Sequence, residues 1–166
     1  MGAPTDDELR DTVDHVAVAR LTDAYADVVT RRAWPELATL FLPRCVLHLD
    51  TVTAPTRELE GPAAIGAFIG EAVERFSFFE FVVLNRRVEL RVDGDADRAT
   101  ARIFMCELRQ DAVDGRHTTA YGLYRDTYER VDGRWWFADR RYRSLARTAG
   151  AGAGADLDVL PWPEDL

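Results

Sequence analysis

A stretch of alternating bulky and polar residues, YGLYRDTYERVDGRWWFADRRYRS, occupies residues 121–144 and carries three aspartates and six arginines. The Asp132-Gly133 pair at its centre predicts a two-residue type I′ turn, so the stretch is expected to form one β-hairpin. With that turn, Asp126 lies opposite Asp139. Arg141 lies on the same side of the sheet, because side chains alternate along a strand. Large apolar residues share this side, which is therefore expected to face inward.

Facing carboxylates repel, so one of the two has a raised pKa unless a cation lies between them. Such a carboxyl group in apolar surroundings serves as a general acid or base, and a neighbouring arginine can hold an enolate. The candidates are Asp126, Asp139, Arg140 and Arg141, since a bulge between the two arginines would exchange the one that faces inward. The alternative is a structural ion pair between Asp126 and Arg141, with Asp139 solvated at the rim.

A further carboxylate lies within the alternating stretch ATARIFMCELRQ, residues 99–110. Glu107 shares the side of Ile103 and Met105, because strand side chains alternate. If those two residues line a pocket, Glu107 lies at its mouth and is a second candidate base. The alternative is a solvated residue at the end of a strand.

Hydroxyl, imidazole and aromatic groups supply candidate ligand contacts. Phenylalanines cluster at positions 76, 78, 79 and 81, which predicts either core packing or an apolar pocket mouth. His48 stands between Leu47 and Leu49, and a structural role is its alternative interpretation. The candidate ligand-binding residues are Tyr25, Thr30, His48, Phe81, Asn85, Met105 and Tyr124.

No sequence pattern indicates a cofactor or a metal ion. The three histidines are scattered, without partners at metal-ligand spacing. Nucleophile-elbow, Walker and dinucleotide-binding motifs do not occur, and AGAGAG does not connect a strand to a helix. We therefore expect chemistry without a cofactor.

The order of predicted elements is helices first and strands after. Thr5 and Glu8 have the spacing of a capping box, and apolar residues then recur at helical spacing as far as Arg32. A short second helix at ELATLF, a strand at CVLHLDTV and a third helix from Pro62 follow. The remaining stretches alternate as antiparallel strands, which predicts the α+β class.

Composition limits the partners. The chain has 166 residues, a formal net charge of −8 and a pI near 4.9, so nucleic acid and anionic membranes are not expected partners. No apolar run is long enough to span a membrane, and the acidic start has no signal-peptide core. These features predict a soluble cytoplasmic protein of one main domain, residues 1–147. A Gly/Ala linker and a hydrophobic, acidic tail form residues 148–166.

Three segments resemble the SnoaL-like branch of the nuclear-transport-factor-2-like superfamily: LTDAYADVVTRRAWPELATLF, GPAAIGAFI and YERVDGRWWFADRR. The likeness runs from Leu9 to Arg147. It implies a cone-shaped α+β barrel, in which a long N-terminal helix and two further helices pack in a curved, mixed, mostly antiparallel sheet. It also implies a pocket for a small apolar organic ligand and a homodimer.

Dehydratases of this superfamily use an Asp near the end of the first helix and a His on the first long strand. Counted from Tyr25 and Trp34, the Asp position is Thr30, and counted from Asn85 the His position is Phe81. That route of proton abstraction has no base in this chain.

The sequence favours a cofactor-independent lyase, isomerase or cyclase that acts on an apolar, oxygen-bearing, polyketide- or terpenoid-like substrate. The candidate catalytic residues are Asp126, Asp139, Glu107, Arg140 and Arg141. Two alternatives remain, a non-catalytic small-molecule binding module and a protein-assembly domain.

Overall fold

The computed structural model of the protein describes residues 3–148 and 156–164. Two α-helices, one 3₁₀ helix and a short 3₁₀ turn accompany seven strands in this part of the chain. The helices pack against a curved, unclosed mixed sheet, which confirms the predicted cone-shaped α+β fold.

Helix α1, Asp6–Thr30, begins with the predicted capping box, in which Thr5 and Glu8 bond reciprocally. One face of its second half is buried from Val18 onward and packs against the sheet. Three of the apolar residues at helical spacing, Leu9, Val13 and Val16 in its first half, are exposed. Periodicity marks one face of the helix, but it does not tell where along the helix the core begins.

A 3₁₀ helix, Trp34–Thr39, stands where a short α-helix was predicted. Helix α2, Gly61–Glu74, begins as predicted with Pro62 in its first turn. Gly61 has a φ of +82° and its missing Cβ would lie 3.2 Å from the Pro43 carbonyl oxygen, so glycine is required there.

The sheet has the order β2-β1-β6-β5-β4-β3, with β7 beside the end of β6. Only β1 and β6 run parallel among the described strand pairs. The strands are β1 Phe41–Asp50, β2 Arg57–Glu60, β3 Phe76–Leu90, β4 Arg98–Asp111, β5 His117–Val131, β6 Arg134–Thr148 and β7 Leu157–Val159.

The β5–β6 hairpin confirms the predicted turn but not the predicted register beyond it. Asp132 and Gly133 have φ angles of 52° and 77°, as a type I′ turn requires. The predicted pairing holds as far as Tyr128 opposite Phe137. Ala138 is then an extra residue, a β-bulge, and the pairs from Thr127 opposite Asp139 to Gly122 opposite Ser144 shift by one. A second irregularity shifts the last two pairs by one more.

The bulge overturns the prediction that Asp126 faces Asp139. Asp126 lies opposite Arg140, and Thr127 lies opposite Asp139. Because one inserted residue moves all later side chains to the other face, Asp139 and Arg141 leave the inner side, and Arg140 enters it.

The described part of the tail returns to the domain. Strand β7 pairs with the end of β6, and the Leu160 backbone N–H donates to the Leu145 carbonyl at 2.9 Å. The Trp162 ring lies 6.3 Å from the Phe104 ring. The predicted linker falls mostly on residues 149–155, outside the described residues, so the division at residue 147 stays a prediction.

Neither of the two α-helices is both long and apolar enough to cross a bilayer within the described ranges. Cys45 and Cys106 are buried free thiols.

Candidate functional site

A cavity of about 320 Å³ lies between the inner face of the sheet and helices α1 and α2. Much of its wall is apolar and includes six aliphatic or aromatic side chains, those of Val29, Leu47, Leu49, Phe68, Ile69 and Val73. The volume and the apolar wall match those of small-molecule sites in proteins. Side chains of the same sheet face also belong to the buried hydrophobic cluster, so the sheet both closes a core and lines a pocket.

Glu107 lines this cavity, where alternation along β4 places it. Ile103 and Met105 precede it on the same face and are fully buried in the core. The side chain of Glu107 is 18% exposed and pairs with Arg109. Arg109 Nε donates to Glu107 Oε2 at 2.9 Å, and Nη2 donates to the same oxygen. Glu107 is the one carboxylate on the cavity wall among the residues that the structure describes.

Three tyrosines share the wall with Glu107. Tyr25 and Tyr124 have ring centroids 6.3 Å apart, and those of Tyr124 and Tyr142 are 5.0 Å apart. Burial raises the pKa of all three phenols, that of Tyr142 to about 12. They therefore remain protonated at neutral pH and can donate hydrogen bonds to a ligand oxygen.

Tyr142 owes its position to a glycine on the neighbouring strand. A Cβ at Gly122 would lie 2.3 Å from Cε2 of the Tyr142 ring, closer than any real contact allows. The ring therefore occupies the space over Gly122. Sequence reasoning missed Tyr142, since the bulge at Ala138 decides which face it takes.

Thr30 and Phe81, the two positions of the dehydratase dyad, are neighbours in space. The Phe81 backbone N–H donates to Thr30 Oγ1 at 3.0 Å. The Phe81 ring lines the cavity and lies edge-on to Tyr25, with centroids 5.3 Å apart. At these two positions this chain has the Thr30–Phe81 hydrogen bond and the Phe81 ring, and no acid–base pair of the kind that the dehydratases use.

Asp126 and Arg140 form a buried ion pair in the core. Arg140 Nε lies 2.9 Å from Asp126 Oδ1, and Nη2 lies 3.2 Å from Oδ2. The Tyr128 hydroxyl donates to Oδ2 at 3.1 Å. Burial raises the pKa of Asp126, although Arg140 and Tyr128 oppose the rise. Asp126 and Arg140 are 2% and 1% exposed.

This pair supports the cavity but does not line it. The Arg140 guanidinium carbon lies 3.9 Å from the ring centroids of both Tyr25 and Tyr124. Because these rings line the cavity and Arg140 does not, the cation–π contacts hold Tyr25 and Tyr124 in place from the core side.

Asp139, Arg141 and His48 meet on the outer face of the sheet. His48 Nε2 lies 2.9 Å from Asp139 Oδ2, and Nδ1 lies 3.0 Å from Glu58 Oε1. Arg141 Nε donates to Asp139 Oδ1 at 3.2 Å. The prediction that Asp139 and Arg141 share the inner face with Asp126 is wrong. His48 faces away from Leu47 and Leu49, as its alternation with them predicted.

Two further predicted ligand contacts do not reach the cavity. Asn85 is exposed on β3, just after a bulge that follows Val83. Met105 is buried in the core. Among the described residues, no three His, Cys, Asp or Glu side chains are grouped so as to hold a metal ion.

Comparison with solved structures shows the same fold. A scytalone dehydratase-like protein from Novosphingobium aromaticivorans is 22% identical, with a TM-score of 0.72 over 89% of this chain and 94% of its own. A type 3 hexachlorocyclohexane dehydrochlorinase from Novosphingobium barchaimii is 21% identical, with a TM-score of 0.73 over 92% and 99%. Another N. aromaticivorans protein, described as NTF2-like, is 21% identical, with a TM-score of 0.68 over 87% and 92%.

Sequence comparison gives the family. Among curated proteins, none matches this chain. The family model of the SnoaL-like domain matches residues 10–141, which include most of α1 and all of α2. The match covers most of the cavity wall and ends just before the lining residues Tyr142, Ser144 and Arg147 of β6. The chain is thus a small-molecule pocket protein. On that match, it belongs to the SnoaL-like domain family.

Proposed function

We propose that the protein is a cofactor-independent lyase, isomerase or cyclase in which Glu107 is the general base. The observation that carries this proposal is the position of Glu107 on the wall of an otherwise largely apolar cavity, beside three protonated tyrosines. The substrate is an apolar carbonyl compound of polyketide- or terpenoid-like chemistry. Dehydratase and dehydrochlorinase neighbours of the same fold support elimination as the reaction class.

The chemistry is proton transfer at a carbon next to a carbonyl group. Glu107 removes this proton, and the C–H electrons move into an enolate. A phenol of Tyr25, Tyr124 or Tyr142 donates to the enolate oxygen and stabilises its charge. The hydroxyl on the next carbon then leaves with the C–O electron pair and takes the proton back from Glu107 to depart as water, which completes an elimination. Return of the proton from Glu107 to another carbon completes an isomerisation instead.

Arg109 has a defined part in this scheme. Two N–H groups of its guanidinium donate to Oε2 of Glu107, which orients the carboxylate. Oε1 of Glu107 has no protein donor among the described contacts and is the oxygen assigned to the substrate proton.

Hydrogen–deuterium exchange tests the proposal. Enolisable aromatic and polyketide-like ketones are incubated with the protein in D₂O, and exchange at the carbon next to the carbonyl is followed by NMR. We expect exchange with the native protein and its loss in Glu107→Gln. Bound ketones that exchange equally in both proteins, or in neither, would contradict Glu107 as the base.

A binding module of the same fold is the second candidate. It is favoured by the Glu107–Arg109 ion pair, which engages the one carboxylate of the cavity wall, and by the Thr30–Phe81 hydrogen bond at the dyad positions. Ligand binding without any exchange is the result that this candidate requires.

The homodimer implied by the family resemblance stays a proposal, as does a cytoplasmic location. An apolar patch on the outer face supports a second copy as a partner, and its residues include Leu84, Phe104, Leu157, Val159 and Trp162. Light scattering after size exclusion tests it, with Leu84→Glu expected to shift a dimer toward monomer.

A further inference from the structure

The cavity carries an excess of positive charge at one side. Arg75, Arg109 and Arg147 line it, against Glu107 as the one acidic residue among the described lining residues. Three arginines against one glutamate leave an excess of two positive charges. The chain as a whole has a net charge of −8, so this local excess is opposite in sign to the rest of the protein.

The three guanidinium groups differ in how far protein carboxylates neutralise them. Arg109 uses Nε and Nη2 for Glu107. Arg147 Nε lies 3.4 Å from Asp158, in a half-exposed pair of the kind that contributes little. Arg75 forms no ion pair with a carboxylate in the described ranges, and its guanidinium carbon lies 4.7 Å from the Phe76 ring centroid.

Strand pairing and one aromatic ring bring these groups to the same region. The Arg109 guanidinium carbon lies 5.4 Å from the Phe76 ring centroid, so Arg75 and Arg109 contact one ring. On β5, Ala120 lies opposite Glu107 on one side and Arg147 on the other. The small side chain of Ala120 leaves room between the carboxylate and the guanidinium.

We propose that the ligand of this cavity is an organic carboxylate, held by Arg75, Arg109 and Arg147, with its apolar body directed toward Tyr25 and Phe81. Guanidinium groups match a carboxylate in shape and charge, and such hydrogen bonds are stronger than neutral ones. The inference deepens the proposed function, on whose cavity it rests. Anchoring the carboxylate on this side holds the reacting carbon of the same molecule beside Glu107.

Paired probes test this recognition without turnover. Binding of 2-naphthoate and of 2-naphthamide, which has the same shape without the charge, is measured by isothermal titration calorimetry. We expect the amide to bind about tenfold more weakly or worse, because hydrogen bonds between two charged groups are stronger than those to a neutral acceptor. The preference should fall as ionic strength rises.

Arginine variants assign the preference to the site. We expect Arg75→Gln and Arg147→Gln each to weaken naphthoate binding about three- to tenfold and to leave naphthamide binding unchanged. Arg87→Gln is the matched control, since Arg87 is an exposed arginine of β3 that pairs with Glu89 and does not line the cavity. Arg109→Gln is measured as well. If this variant does not fold, the results for Arg75→Gln and Arg147→Gln decide whether the arginines hold the carboxylate.

Three results would overturn the inference. They are equal affinity for the acid and the amide, equal loss in the Arg87→Gln control, and no binding of either probe up to its solubility limit. Glu107→Gln separates this inference from the proposed function. Naphthoate preference kept in Glu107→Gln supports the carboxylate site even where the exchange experiment finds no catalysis.

Discussion

Glu107 on β4 lies directly opposite Phe81 on β3 in the sheet register. Opposed residues of an antiparallel pair share one face, and both side chains line the cavity. Phe81 is the residue that the sequence resemblance assigns to the position of the dehydratase histidine. In this chain the ionisable group Glu107 therefore lies on the neighbouring strand, roughly 5 Å from that position.

Glu107→Gln is expected to lower turnover of an accepted substrate by about 10²–10⁴-fold, the usual contribution of a general base. The amide keeps the shape of the side chain and cannot accept the proton. Turnover and unfolding by urea are measured together to separate catalysis from stability.

Asp139→Asn is the matched control for that experiment. Asp139 lies on the outer face with His48 and Arg141, so we expect its turnover to stay within about twofold of the native value. A large loss of turnover in Asp139→Asn together with native turnover in Glu107→Gln would contradict Glu107 as the general base. It would indicate that the general base lies on the β5–β6 hairpin.

Asp126→Asn is expected to lower the free energy of unfolding by about 3–5 kcal/mol, because it leaves the buried Arg140 cation without its counter-ion. Arg140 Nη1 already has no hydrogen-bond partner among the described residues, so no spare acceptor is at hand. Urea denaturation measures the loss.

The double variant Asp126→Leu with Arg140→Met tests the cause of that loss. Removing both charges should restore much of the stability, since no unpaired charge remains buried. A double variant as unstable as Asp126→Asn would show that packing and the cation–π contacts of Arg140, not charge pairing, stabilise this region.

The sequence predicts the fold well because its signals are local. The Thr5–Glu8 capping box, Pro62 at the start of α2 and the Asp132-Gly133 turn each depend on a few neighbouring residues, and the structure has all three. Glu107 was also placed correctly relative to Ile103 and Met105, since β4 has no bulge between them.

The candidate site was harder to predict because it depends on one inserted residue. Nothing about Ala138 in the sequence marks a bulge, yet the bulge exchanges Asp139 and Arg141 for Arg140 on the inner face. Alternation also gives the face of a side chain without telling whether the space before it is filled. Gly122, which makes room for the Tyr142 ring, shapes that space through contacts between strands.

Thr30→Val is expected to lower the free energy of unfolding by about 1–3 kcal/mol. It removes the acceptor of the Phe81 N–H and leaves that partly buried donor unpaired. Thr30→Ser keeps the hydroxyl and should lose less. Equal losses for both variants in urea denaturation would assign the effect to the Thr30 methyl group.

Gly122→Ala is expected to lower stability by about 1–3 kcal/mol, because the new methyl group displaces the Tyr142 ring. The displaced ring should also weaken naphthoate binding. A double-mutant cycle with Tyr142→Ala tests the contact, since without the ring the added methyl group has nothing to displace. If Gly122→Ala lowers stability by the same amount in the Tyr142→Ala variant, the loss does not come from contact with the Tyr142 ring.

Stability at alkaline pH is expected to depend on Tyr142. Burial raises the pKa of its phenol to about 12 from an ordinary value of 10.0. Between these pH values the unfolded chain has lost the phenol proton and the folded chain has kept it. The folded state therefore binds more protons, and its stability falls as pH rises, by about 1.4 kcal/mol per pH unit for this group. Tyr142→Phe should reduce that slope in urea denaturation between pH 10 and 12. The part of the slope that remains is expected from Tyr25, Tyr124 and Tyr128, whose pKa values are also raised. An unchanged slope in Tyr142→Phe would mean that the Tyr142 phenol is solvated in the folded protein, and would remove it from the cavity wall as a protonated donor.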